Sequence, residues 1–202
     1  VQRRAWGVVL AMIVSAGIAG CGGGDSSSSA AEPSPSVWAR PTGSPMTIEP
    51  VTTVDGAELF ESDGLSVLVP DGWETRRSEQ PEFVQIMVLR ADDERNPVVL
   101  TILAQPGSAD VVETTASVAS AELAISGATD LEQHPATWSG WRYASGITGV
   151  FDQGRDGVVT DFVQVVALSG DGKVVGVTAQ APRGQLDDAL SYQVLRSVRP
   201  VG

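Results

Sequence analysis

The chain has 202 residues, with 13 Lys+Arg against 25 Asp+Glu, one histidine and one cysteine. A net charge of −12 argues against nucleic acid as a partner, because affinity for phosphate comes from Lys and Arg that displace counterions. One cysteine excludes an intrachain disulfide, and one histidine leaves few soft ligands for a transition metal.

Residues 1–20 have the parts of an export signal. Arg3 and Arg4 come first, then an apolar stretch from Trp6 to Ala16 broken by Gly7 and Ser15, then small residues. The stretch is shorter than the ~20 apolar residues of a comfortable membrane span. Val1 reads as a non-ATG start. Ile18-Ala19-Gly20-Cys21 has the order aliphatic, small, small, Cys, and resembles the lipobox of bacterial lipoproteins. The resemblance implies cleavage before Cys21 and a diacylglyceryl thioether with palmitate-class chains. It places the protein on the extracytoplasmic face of the cell membrane. Two acyl chains anchor stably where one is marginal. An ordinary signal peptide, an uncleaved anchor and a twin-arginine signal are the alternatives.

Without residues 1–20, 11 basic residues face 25 acidic ones, a balance of −14. Such a surface favours solubility and leaves contact with the membrane to the lipid. Residues 21–56 read as the lipidated cysteine and a tether. Gly22-Gly23-Gly24 and Ser26 to Ser29 are flexible, and Pro33, Pro35, Pro41, Pro45 and Pro50 stiffen the remainder of the segment. A coil of ~35 residues spans roughly 30–35 Å. Residues 57–202 are the size of one domain.

In that domain, residues 57–61 and 65–70 flank Ser62-Asp63-Gly64, the signal of a β-hairpin. Pro70-Asp71-Gly72-Trp73 is a second turn. Strands are expected at 83–89 and 98–103, joined by a charged loop at 91–97. A long helix is expected over 110–126. Asp110 and Glu113 would form its capping box, Val112, Ala116, Ala119 and Leu123 its buried face, and Gly127 its stop. Residues 137–144 read as a strand, with Trp138 and Trp141 facing opposite sides, and residues 147–151 continue the pattern. Turns at 153–157 and 169–173 lead into strands at 158–168 and 174–181. Residues 185–195 suggest a closing helix with Leu186, Leu190 and Val194 on one side, and 197–200 a last extended piece.

This element order resembles that of the Mog1/PsbP-like domains, in particular the LpqN-type lipoproteins of actinobacteria. The carrying residues are Leu65-Ser66-Val67-Leu68-Val69-Pro70-Asp71-Gly72-Trp73-Glu74, Trp141-Arg142 and Leu195-Arg196-Ser197-Val198-Arg199-Pro200. The resemblance covers residues 57–202. It implies an α+β fold, an α-β-α sandwich with a mainly antiparallel sheet, one long helix and a C-terminal helix. It also implies a noncatalytic domain that binds ligands or partners, and it supplies no catalytic residue and no cofactor.

The residues themselves offer little chemistry. His134 precedes Pro135 in an expected loop and reads as an exposed polar residue, and no Gly-x-Ser-x-Gly elbow accompanies it. Residues 152–157 lack the alternating ligands of a calcium loop, and residues 169–173 lack the spacing of a phosphate loop. Asp92-Asp93-Glu94 suits a solvated loop and Asp187-Asp188 a helix start. Trp138, Trp141 and Arg142 are the candidate ligand-binding residues, because pockets combine apolar walls with a few polar groups. The expectation is a noncatalytic envelope lipoprotein that binds a lipid, a glycolipid or a protein partner. A scaffold module without a small ligand and a His134-dependent envelope hydrolase are the alternatives. No metal or cofactor is expected.

Overall fold

The computed structural model describes residues 42–91, 93–152 and 158–201, with the side chains of residues 93–95 outside that set. Cys21, the export segment, most of the expected tether and the turn expected at 153–157 lie outside the described residues.

In chain order the strands are β1 (Met46–Ile48), β2 (Glu58–Ser62), β3 (Leu65–Val69), β4 (Trp73–Glu79), β5 (Phe83–Arg90) and β6 (Asp93–Leu103). Helix α1 (Ala109–Ile125) comes next, then β7 (Ala128–Trp138), β8 (Tyr143–Asp152), β9 (Val159–Leu168) and β10 (Val174–Pro182). Helix α2 (Leu190–Ser197) and β11 (Arg199–Pro200) close the chain. Eight strands form one sheet in the order β1-β7-β8-β9-β10-β6-β5-β4, and β11-β3-β2 form a smaller one. All pairings are antiparallel except β1 with β7. α1 lies on β7, β8 and β9, whereas α2 packs on β10, β6 and β3. The fold is therefore the expected α+β sandwich.

The two faces of the large sheet differ in filling. One carries Ile86, Val88, Val98, Leu100, Val165 and Val177, which pack with Leu65 and Val67 of β3 and with Val194 and Leu195 of α2. Alternation along β7, β8 and β9 puts their other residues under α1, whose buried side chains are Val112, Thr115, Ala116, Ala119 and Leu123. The apolar spacing expected for α1 is thus the spacing observed. Its cap is not: Ser108, rather than Asp110, accepts from the Val111 N–H at 3.4 Å, and Glu113 is used elsewhere.

Several boundaries move. Residues 42–56, assigned to the tether, belong to the fold. Ile48 is 1% exposed and its strand pairs with residues 136–138. Gly43 N–H donates to Gln133 O, and Arg196 and Arg199 donate to the carbonyls of Glu49 and Val51. A Cβ at Gly43 would stand 2.1 Å from His134 Nδ1, so the chain passes where only glycine fits. The expected 91–97 loop is mostly strand, because β6 begins at Asp93 after an irregular register at Val88/Arg90. β4 was not expected, since its sequence, Trp-Glu-Thr-Arg-Arg-Ser-Glu, is that of a charged edge strand. β7 was hidden by Pro135. That proline lies just before the residues that pair with β1, next to the sheet edge, where a missing N–H is tolerated. α2 begins at Leu190, so Asp187 and Asp188 precede it, and Leu190 is 37% exposed. The hairpin is as expected: Asp63 (φ 55) and Gly64 (φ 78) make the two left-handed positions of a type I′ turn.

Candidate functional site

The strand expected over 137–144 is broken by a turn, and the break builds the site. Trp141 N–H donates to Trp138 O at 3.0 Å across Ser139-Gly140, with Gly140 at φ +89. A left-handed third position is the mark of a type II turn and favours glycine. The turn folds the two tryptophans onto one another instead of placing them on opposite faces. Their rings stack with centroids 5.0 Å apart and planes at 29°. Trp138 is 2% exposed beside Ile48, and Trp141 is half-buried against the same core. Both indole N–H groups are buried and neither has an acceptor. A buried donor left unpaired costs on the order of 1–3 kcal/mol.

Arg142 comes immediately after but turns outward. Its backbone N–H donates to Leu168 O at 2.8 Å, and its exposed side chain flanks a small open depression of about 190 Å³ with Gly107, Ser108, Ala109, Tyr143 and Leu168. The structure thus joins Trp138 to Trp141 and sets Arg142 on the adjoining surface. A larger open depression of about 520 Å³, lined by Asp71, Gly72, Trp73, Arg90, Ala91 and Leu190, includes neither tryptophan.

His134 corrects the sequence expectation. It is not an exposed loop residue; it sits in β7 at 9% exposure. Its Nδ1 lies 2.9 Å from Ser44 O, which accepts only, so Nδ1 carries the proton. Nε2 lies 2.8 Å from Thr148 Oγ1, with a Glu132 carboxylate oxygen 3.8 Å away. The imidazole ties residues 42–48 to β7 and β8. Among the described residues, no three His, Cys, Asp or Glu side chains are grouped to hold a metal.

Sequence reasoning missed a polar network between α1 and the sheet. Glu113 accepts from Tyr143 Oη at 2.7 Å, from Gln133 Nε2 at 3.0 Å and from Ser145 Oγ at 3.4 Å. The bond to Glu113, helped by burial, pushes the Tyr143 phenol up to about 12. The four residues come from three elements, and no local spacing in the sequence links them. Elsewhere, Arg77 and Ser62 hold the Asp63 carboxyl down at about 2, and Lys173 and Ser169 do the same for Asp171.

No family model matches the chain, and no curated protein matches it. Among solved structures, the chain is similar to one from Bacteroides thetaiotaomicron at 11% identity and TM-score 0.45, over 72% of this chain and 48% of that one. It spans about half the length of that protein. It is also similar to LpqN of Mycobacterium tuberculosis, described as involved in cell envelope biogenesis, at 14% identity and TM-score 0.43. That likeness covers 72% of this chain and 91% of LpqN. Both are likenesses of chain path and assign no residue a role. Among the described residues, no helix is long and apolar enough to cross a membrane.

Proposed function

We propose that this chain is a noncatalytic lipoprotein of the cell envelope, anchored through a diacylglyceryl group on Cys21. Its domain binds an envelope lipid or glycolipid at the corner formed by Trp138, Trp141 and Arg142. The observation that carries the binding reading is the stacked pair whose two indole N–H groups are buried without acceptors. A core built only for stability would place phenylalanine there, because Trp is favourable in a core where its N–H finds a partner. An ester, hydroxyl or amide oxygen entering beside Trp141 would supply that acceptor, and the apolar ring faces suit an acyl chain or a sugar face. Arg142, at the rim, would meet a polar head group.

A protein partner at the same corner is the second reading. It is favoured by Arg142 and Tyr143, exposed side by side next to Trp141, since Trp, Tyr and Arg dominate binding hot spots. A His134-dependent hydrolase is disfavoured, because Nδ1 is bound to the backbone carbonyl of Ser44 and Thr148 is the hydroxyl in reach of Nε2.

A photocrosslinking amino acid at position 142, in intact cells, separates these readings. A lipid-sized adduct supports the first and a discrete protein adduct the second. Labelling no greater than from the same probe at Ser78, on edge strand β4, would refute both.

A further inference from the structure

A second set of unpaired polar atoms lies on the other face of the sheet. Along β9, Val163, Val165 and Ala167 belong to the apolar core shared with β3 and α2. The intervening residues Thr160, Phe162, Gln164 and Val166 therefore point to the face that α1 covers. Gln164 is 0% exposed, and neither its Nε2 nor its Oε1 has a hydrogen-bond partner. Thr160 Oγ1, on the same stripe, is also buried and unpaired. Beside Gln164 in the sheet stand Ile147 of β8 and Thr178 of β10. The buried side chains of α1, which packs on β7, β8 and β9, include Ala116 and Ala119, each a single methyl.

A primary amide buried beside valine, isoleucine and phenylalanine, with donor and acceptor both unpaired, is a net cost to folding. Leucine would occupy a similar volume without it. We infer that the α1–β9 interface is a closed binding site for a small uncharged molecule that offers a hydrogen-bond acceptor and a donor side by side, with Gln164 as its contact. The guest accepts from Gln164 Nε2 and donates to Oε1. An ion is unsuitable, because the flanking Ile147, Phe162 and Val166 provide nothing to neutralise a buried charge. Ordered water and an uncharged organic solute such as an amide share this chemistry, and buried waters commonly complete such groups.

The site lies across the sheet from Trp138, so it can fail without affecting the role proposed for the tryptophan corner. The test uses the full lipoprotein purified in detergent, as wild type and as Gln164→Leu. Magnetisation transfer from water to the Gln164 side-chain amide reads a long-lived water, and native mass spectrometry reads a retained solute. The expected result is one of these two signals in the wild type, with at least a tenfold loss in Gln164→Leu where the signal is a retained mass. Transfer from water identifies the guest as water, and a retained mass identifies it as a solute. Should Gln164→Leu fail to fold, Gln164→Met is measured in its place. Neither signal in the wild type, or a retained mass undiminished in the folded variant, would overturn the inference.

Discussion

The two faces of the eight-stranded sheet are covered differently. Toward β3 and α2 the sheet presents valine, isoleucine and leucine with almost no exposure, and the filling is apolar. Toward α1 it presents Gln133, Ser145, Thr160 and Gln164, all buried, some joined through Glu113 and some unpaired. The first face holds the fold together by removing apolar area from water, at roughly 25 cal/mol per Å². The second accepts polar desolvation that a purely structural interface would avoid. The Trp138–Trp141 corner, at the end of the apolar face, is the one place there where buried donors also lack partners among the described residues.

The largest effect should come from the apolar face. Leu100→Ala, at 0% exposure, is expected to cost about 2–5 kcal/mol, read as a lower urea midpoint with unchanged slope. Ile48→Ala should fall in the same range, about 2–4 kcal/mol, because Ile48 is core and not tether. A loss under ~0.5 kcal/mol, the scale of a surface change, would return residues 46–48 to the tether.

On the α1 face, Glu113→Ala removes the acceptor of Tyr143, Gln133 and Ser145 and should cost about 1–3 kcal/mol. The same change should bring the Tyr143 phenol from about 12 back toward its ordinary value, visible by ultraviolet absorbance. Linkage gives the sign. The folded phenol titrates above the unfolded one, so its contribution is complete below pH ~10 and is lost as pH rises toward 12. Glu113→Ala should remove that alkaline loss.

The smallest effect belongs to the surface. Arg77→Ala breaks its bonds to Asp63 and Glu79 and should lower stability only slightly at neutral pH, because solvent screens an exposed pair. Asp63 titrates near 2 when folded, below its ordinary 3.8, so its contribution is present above pH ~4 and fades as pH falls toward 2. In Arg77→Ala that acid-side dependence should flatten, measured by urea unfolding between pH 2 and 5.

Where the sequence alone was informative, the reason is local. The Asp63-Gly64 turn, the alanine-rich face of α1 and the apolar runs of β5, β9 and β10 each arise from residues within a few positions of one another. The features it hid depend on distant partners. Pro135 concealed β7, whose pairing with β8 and β1 outweighs the proline's local preference. β1 is three residues long and carries its signal only through Ile48 meeting Trp138 across about ninety positions. Trp138, Trp141 and Arg142 could be picked out by residue type. Their stacking could not, because it required seeing Gly140 as a turn and not as a gap in a strand. The Glu113 network and the unpaired Gln164 left no sequence signal that spacing could reveal.

The proposed role of the tryptophan corner is tested most directly by native mass spectrometry of the full chain extracted from its native cells in mild detergent, wild type against Trp141→Ala. The expected result is a co-purifying lipid or partner in the wild type that falls at least tenfold in Trp141→Ala, while Ser78→Ala retains it. A wild-type protein that is repeatedly recovered without any such companion, or a companion that Trp141→Ala keeps in full, would contradict that role.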